Sequence, residues 1–239
     1  IRVLEARGLK LETAASYVAG HSLGEYSALC AAGTFSLADT ARLLRIRGNA
    51  MQAAVPVGEG AMAALMGLDL PATRAVCERA SAPGEPVEPA NLNGGGQIVI
   101  SGHAAAIERA IAEARAAGAR RAVRLPVSAP FHCSLMQPAA DRLAAALADV
   151  TVAAPNVPVV ANVTAEPTQD AVRIKALLVQ QVTAPVRWEE SIQAIAKLGV
   201  TRAWELGSGA VLKGLVKRIA GTIEVAAIGE PHEVEAWNP

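Results

Sequence analysis

The hydrophobic pattern alternates short apolar runs with amphipathic helical stretches, and that alternation is interrupted once, near residue 60. Ser16-Tyr17-Val18-Ala19 reads as a strand running straight into Gly20-His21-Ser22-Leu23-Gly24; a helical pattern follows from Glu25 to Ala32 and stops at Gly33. Ser36 and Asp39 form a capping box for the next helix, whose apolar stripe carries Leu43, Leu44, Ile46 and Met51. Strands and helices at this spacing imply βαβ units and a mostly parallel sheet. From residue 60 the order becomes strand Ala61–Leu68, helix Pro71–Ala80, strand Val87–Leu92, strand Gln97–Ser101, helix Ala104–Ala117, strand Arg121–Val127. That βαββαβ order is the ferredoxin-like unit. The expected fold class is therefore α/β, with a core domain of residues 1–54 and 128–239 and an inserted ferredoxin-like subdomain at 55–127.

The alternation resumes with a helix at Ser134–Leu147, a strand at Val157–Asn162, helices at Asp170–Val182 and Trp188–Leu198, a strand at Thr201–Leu206, a helix at Val211–Ala220 and a strand at Ile223–Ile228. The first residues, Ile1–Gly8, read as the last turns of a helix closed by a glycine. With no initiator Met, the chain is expected to begin inside an element and to be incomplete at its N-terminus. The ending Glu233–Pro239 favours a free-standing enzyme over a synthase domain.

Composition bounds the function. At 239 residues the chain fits one large domain or one domain with an insert, and with only 3% aromatic residues its core must be built from Ala, Val, Leu and Ile. Twenty-two basic residues balance 22 acidic ones, so there is no basic stripe for nucleic acid and nothing to attract an anionic membrane surface. Cys30, Cys77 and Cys133 have neither metal spacing nor the pattern of a disulfide framework, which points to a reducing cytoplasm. No apolar run reaches the ~18 residues of a membrane span, and no signal peptide is recognisable.

Gly20-His21-Ser22-Leu23-Gly24 is a G-x-S-x-G between a strand and a helix, the context a nucleophile elbow requires. Read blandly it is a glycine-flanked turn with a serine N-cap. A serine nucleophile needs a base. His21 adjoins the serine and points away from it, His103 begins a helix as a cap, and His232 lies in a Pro/Glu-rich tail. His132 sits in a turn between a strand and a helix, where catalytic groups collect, and elimination favours it as the base. No acid stands out to orient it, so a backbone carbonyl or an amide remains open. Arg45 and Arg47 are either exposed helix residues or a clamp for a substrate carboxylate. Asn93-Gly94-Gly95-Gly96-Gln97 lacks a P-loop lysine and reads as a hairpin turn; Glu205-Leu206-Gly207-Ser208-Gly209 is a tight turn or an anion site at a helix start.

These segments, with Arg47-Gly48-Asn49-Ala50-Met51-Gln52, Pro126–Cys133, Pro158–Val163 and Pro185-Val186-Arg187-Trp188, resemble the malonyl-CoA:acyl carrier protein transacylases, acyltransferases of fatty acid and polyketide synthesis. The resemblance implies a hydrolase-like α/β domain with a ferredoxin-like insert. It implies that Ser22 is acylated, that His132 is its base, and that the main-chain carbonyl of Gln181 orients His132. The Leu23 N–H would hold the oxyanion, Arg47 would pair with the malonyl carboxylate, and Phe131 would mark malonyl selectivity. Malonyl-CoA is the implied substrate and acyl carrier protein the implied partner. No metal or other cofactor is expected, nor any nucleic acid or membrane, and the chain is expected to act as a cytoplasmic monomer. The family opens with a strand and a glutamine-bearing loop that supplies a second oxyanion donor, and nothing in this chain matches it. The competing readings are a serine thioesterase or esterase with water as acceptor, and a catalytically silent module that binds a carrier protein.

Overall fold

The computed structural model describes residues 1–237. Asn238 and Pro239, the last two residues of the ending read as that of a free-standing enzyme, lie outside them. Two short helices, α1 (Arg2–Ala6) and α2 (Leu11–Ala14), precede β1 (Val18–Ala19). Gly8 follows α1 with φ +104°, the left-handed conformation that ends helices without steric cost. The four-residue α2 is too short to leave a periodic signature in the sequence. After β1 come α3 (Leu23–Ala31) and α4 (Leu37–Ala53). The Ser36 hydroxyl caps α4 by accepting the Asp39 N–H at 3.0 Å, as the spacing predicts.

The next six elements are β2 (Gly60–Met66), α5 (Leu70–Ala80), β3 (Val87–Gly94), β4 (Gln97–His103), α6 (Ala104–Ala116) and β5 (Arg121–Arg124). Their strands form one antiparallel sheet in the order β3-β4-β2-β5. Helices α5 and α6 cover one face and enclose a core of Leu65, Val76, Ile100, Ile107 and many alanines. Asp69 caps α5, and His103 caps α6 through the Ala105 N–H. The expected strand Arg121–Val127 stops at Arg124. The Leu125 N–H still reaches the Met62 carbonyl at 2.8 Å, but Pro126 has no N–H to continue the ladder.

A 3₁₀ turn at Ser134–Met136 leads into α7 (Gln137–Ala148), which replaces the single helix expected over 134–147. Pro138 accounts for the division, since it belongs in the first turn of a helix. Then come β6 (Val159–Val160), β7 (Pro167–Thr168), α8 (Ala171–Gln181), α9 (Trp188–Lys197), β8 (Arg202–Leu206), α10 (Val211–Ile219), β9 (Glu224–Ile228) and α11 (Pro231–Ala236). β1 pairs in parallel with β6, and β8 in parallel with β9. These parallel pairs belong to separate sheets, the first of which also carries β7 antiparallel to β6.

The Pro/Glu-rich segment after Ile228, expected as a tail, is helical. A Glu230/Glu233 capping box starts α11, and Trp237 is buried with Leu4, Leu9 and Ile228. The largest core lies under α3, α4, α7 and α8, where Tyr26, Leu29, Leu43, Leu143, Leu147 and Leu178 are fully buried. Each such leucine contributes roughly 1.5–3 kcal/mol. That core fixes the start of α3 against the end of α8. Among the described residues no helix is long and apolar enough to cross a membrane, and all three cysteines are free thiols.

Candidate active site

β1 delivers the chain to Gly20 and α3 leaves from Leu23, so the chain must reverse within a few bonds. Ser22 takes φ +53° and ψ −103°, a conformation that costs a non-glycine residue roughly 1–3 kcal/mol. Two contacts hold it there. A Cβ on Gly20 would lie 2.0 Å from the Gly24 carbonyl carbon and oxygen, so only glycine lets the strand pass this close to the helix. Asn162, two residues beyond β6, accepts the Ser22 N–H at 2.7 Å and donates its own amide to the Gly20 carbonyl at 2.7 Å. The Leu23 N–H opens α3, where the first N–H groups of a helix lack intrahelical partners and carry partial positive charge.

His132 comes from the loop after β5 and also has a positive φ, +62°. Its loop is anchored on both sides. The Pro130 ring packs where a Gly60 Cβ would stand, and the Glu88 carboxylate accepts the Ser134 N–H at 3.0 Å and the Ser134 hydroxyl at 2.6 Å. His132 Nε2 and Ser22 Oγ are 2.7 Å apart, although 110 residues separate them in the chain. His132 Nδ1 lies 2.8 Å from the Gln181 main-chain carbonyl, at the last residue of α8. A carbonyl can only accept, so Nδ1 carries the hydrogen and Nε2 is left as an acceptor for the serine hydroxyl. Burial, and then the charge on Arg47, push the His132 pKa down to about 3 against the pull of the Gln181 carbonyl. At neutral pH the imidazole is uncharged and able to take a proton.

Arg47 and Arg45 separate here: Arg45 is exposed, and Arg47 is only 7% exposed. Arg47 donates from Nη2 to Ser22 Oγ at 2.8 Å and to Gln181 Oε1 at 3.1 Å, and its guanidinium lies 5.5 Å from the centre of the Tyr26 ring. Its Nε–H has no partner, and no carboxylate among the described residues comes within salt-bridge distance. Arg47 is thus a buried cation whose hydrogen-bond acceptors are neutral; the buried Glu25 carboxyl, bonded to the same Gln181 side chain, favours its charge but forms no ion pair with it.

Phe131 is half-buried and packs between the core under α3 and a smaller cluster of Met62, Ala90 and Val99 on the four-stranded sheet. The other histidines lie elsewhere. His21 bonds Asn93 at 2.9 Å and packs beside Trp188, His103 caps α6, and His232 lies in α11. The triple-glycine segment is the β3–β4 hairpin turn. At Glu205–Gly209 the anion position is filled by the chain itself, because the Glu205 carboxylate accepts the Leu212 and Lys213 N–H groups at the start of α10. Among the described residues no group of three or more His, Cys, Asp or Glu side chains could hold a metal ion.

Reading the sequence alone assigned no role to Asn162, Glu25 or Tyr26. Glu25 and Tyr26 follow the serine motif directly, and helical spacing turns both inward; that spacing was the available signal. Asn162 had none, because its partners are distant in sequence.

An acyl transferase domain model matches residues 1–219. Over 98% of its length the chain is 49% identical to three-quarters (75%) of the malonyl CoA-acyl carrier protein transacylase of Salmonella typhimurium. The chain belongs to the acyl transferase family of malonyl CoA-acyl carrier protein transacylases. Among solved structures, the acyl-carrier-protein-S-malonyltransferase of Bartonella henselae superposes with a TM-score of 0.95 at 58% identity, covering 98% of this chain and 74% of that one. A malonyl-transacylase in complex with its type II PKS acyl-carrier protein superposes with a TM-score of 0.93 at 45% identity, covering 98% and 75%. The match to the transacylase family spans the whole site, from Ser22 and Arg47 to His132 and Gln181.

Proposed function

We propose that the chain transfers a malonyl group from malonyl-CoA to the phosphopantetheine thiol of acyl carrier protein through an acyl-Ser22 intermediate, supplying extender units for fatty acid or polyketide synthesis. The observation that carries this reading is a serine bonded at once to a neutral imidazole and to a buried arginine that lacks a carboxylate. His132 Nε2 takes the Ser22 proton as Oγ attacks the thioester carbonyl, and the Gln181 carbonyl steadies the imidazolium through Nδ1–H. The Leu23 N–H at the start of α3 meets the developing oxyanion. As the tetrahedral intermediate collapses, His132 returns the proton to the departing thiolate of coenzyme A. The carrier thiol then gives its proton to His132, attacks the malonyl-serine, and leaves as the malonyl thioester, which regenerates the serine hydroxyl.

The Arg47 guanidinium, whose Nη2 holds Ser22 Oγ and Gln181 Oε1 and whose Nε–H has no partner, is the cation that pairs with the malonyl carboxylate. An acetyl group leaves that cation unpaired, which makes Arg47 the selecting residue. Phe131, directly before His132, marks the malonyl-selective form of this segment. In the same reading, residues 55–127 are an inserted subdomain in the domain of residues 1–54 and 128–239. The chain works as a cytoplasmic monomer and needs no cofactor beyond its two substrates.

Mass spectrometry of the intact protein and its peptides after mixing with malonyl-CoA, without carrier protein, tests this. A malonyl adduct on the Ser22 peptide, absent in Ser22→Ala and discharged by carrier protein, is the expected result. Rapid release of coenzyme A with no adduct would make the chain a hydrolase, and neither adduct nor release would leave it a carrier-binding module.

A further inference from the structure

Glu25 is a carboxyl group buried to 3% exposure, in the first turn of the helix that starts at the nucleophile, and the chemistry above does not use it. A carboxyl group left in a protein interior is expensive unless its hydrogen bonds are made. A single oxygen, Oε2, makes two. It accepts the Gln181 side-chain amide at 2.7 Å and the Asn162 main-chain N–H at 3.1 Å. Both donors lead to a reacting residue. Gln181 holds His132 Nδ1 through its main-chain carbonyl, and Asn162 holds the Ser22 N–H through its side-chain oxygen. The Gln181 amide also reaches the Ser22 carbonyl at 3.1 Å. Burial pushes the Glu25 carboxyl up to about 7, so near neutrality it exists in both forms, and Oε2 can accept in either.

We propose that Glu25 is a positioning residue that sets Ser22 and His132 at reacting distance, by joining the strand end that holds the serine turn to the helix end that orients the imidazole. In a serine–histidine–acid triad the acid bonds the imidazole directly. Here that place is taken by a carbonyl, and the acid acts one bond further out, on both partners. The inference rests on the assignment of Ser22 as nucleophile and His132 as base, and not on which acyl group is carried.

The test compares Glu25→Gln, which keeps an acceptor oxygen, with Glu25→Leu, which fills similar space and cannot accept. Two rates are read: labelling of Ser22 by a fluorophosphonate, which needs no malonyl group, and single-turnover acylation by malonyl-CoA. Folding is checked for each by circular dichroism and thermal unfolding. In Glu25→Leu both rates should fall about 10–100-fold, the loss expected of a misplacement near 1 Å, with KM for malonyl-CoA unchanged because Arg47 remains. Glu25→Gln should restore both rates to nearly wild type. A folded Glu25→Leu that reacts at the wild-type rate overturns the proposal, as does Glu25→Gln falling as far as Glu25→Leu. If Glu25→Leu does not fold, Gln181→Met decides: it keeps the carbonyl for His132 and removes the amide that Glu25 holds, together with the side-chain contacts to Arg47 and the Ser22 carbonyl. Unchanged labelling then refutes the bridge, and labelling slowed about 10–100-fold, with Glu25→Gln still near wild type, supports it. Wild-type protein that labels normally but takes no malonyl group would count against the substrate assignment and leave the bridge standing.

Discussion

At the scale of single residues, the site is governed by charge held out of water. His132 is buried beside Ser22 Oγ, which disfavours an imidazolium first, and the Arg47 cation sharing that space disfavours it further. His132 therefore stays neutral far below the ordinary histidine value of 6.5. The rate of Ser22 labelling by a fluorophosphonate should show no acid limb near pH 6.5 in the wild-type protein. In Arg47→Ala the opposing charge is gone, so the imidazole accepts a proton at higher pH and the acid limb should move up. The same variant should lose malonyl transfer by about 100-fold or more and tolerate acetyl-CoA better, because the carboxylate loses its partner and the acetyl group no longer strands a cation. An acid limb that stays in place would remove Arg47 from the first role, and an unchanged malonyl-to-acetyl preference would remove it from the second.

At the scale of elements, the strand–turn–helix from β1 to α3 depends on close approach at one glycine only. Gly20 has no room for a Cβ, whereas a Cβ on Gly24 meets nothing within 4 Å. The two glycines of the motif should therefore behave oppositely. Gly20→Ala must displace the first turn of α3, and with it Ser22 and the Leu23 N–H, so it should abolish Ser22 labelling and lower stability by several kcal/mol. Gly24→Ala lies in the first turn of α3, where alanine is favoured over glycine by at most about 1 kcal/mol, and should raise Tm slightly with labelling intact. Thermal unfolding and labelling of the two variants check this. Equal damage from both would mean that the motif, and not the close approach, sets the requirement.

At the scale of the whole molecule, two buried groups couple stability to pH in opposite senses. Between pH 4.5 and 6.5 the folded chain keeps a proton on Glu25 that the unfolded chain releases, and the unfolded chain binds a proton on His132 that the folded chain refuses. The proton counts match, so these two groups leave stability flat across that window. The His132 contribution is lost as pH falls from 6.5 towards about 3, and the Glu25 contribution as pH rises through about 7. Glu25→Gln removes one side of the balance. Its stability should then rise with pH between 4.5 and 6.5, by up to about 1.4 kcal/mol per pH unit relative to wild type. Denaturant unfolding at several pH values measures the slope, and parallel curves for the two proteins would contradict the pKa assignments.

Signals that act over a few residues were legible in the sequence. Caps at Ser36 and His103, the hairpin glycines at 94–96, the helical stripes and the strand–turn–helix around Ser22 all follow from neighbours within about one turn, and together they yielded the α/β class and the βαββαβ order. Resemblance to a family added roles for Gln181 and Arg47 that spacing alone left open. Tertiary structure alone decided which arginine is buried, that α11 folds back to seat Trp237 against Leu4 and Leu9, and that the parallel pairs fall in two sheets. It also decided what holds the reacting pair. Asn162 and Glu25 meet their partners across 140 and 156 residues. A hydrogen bond over that span leaves no local period or propensity to read, because its acceptor and donor are chosen by how the elements pack.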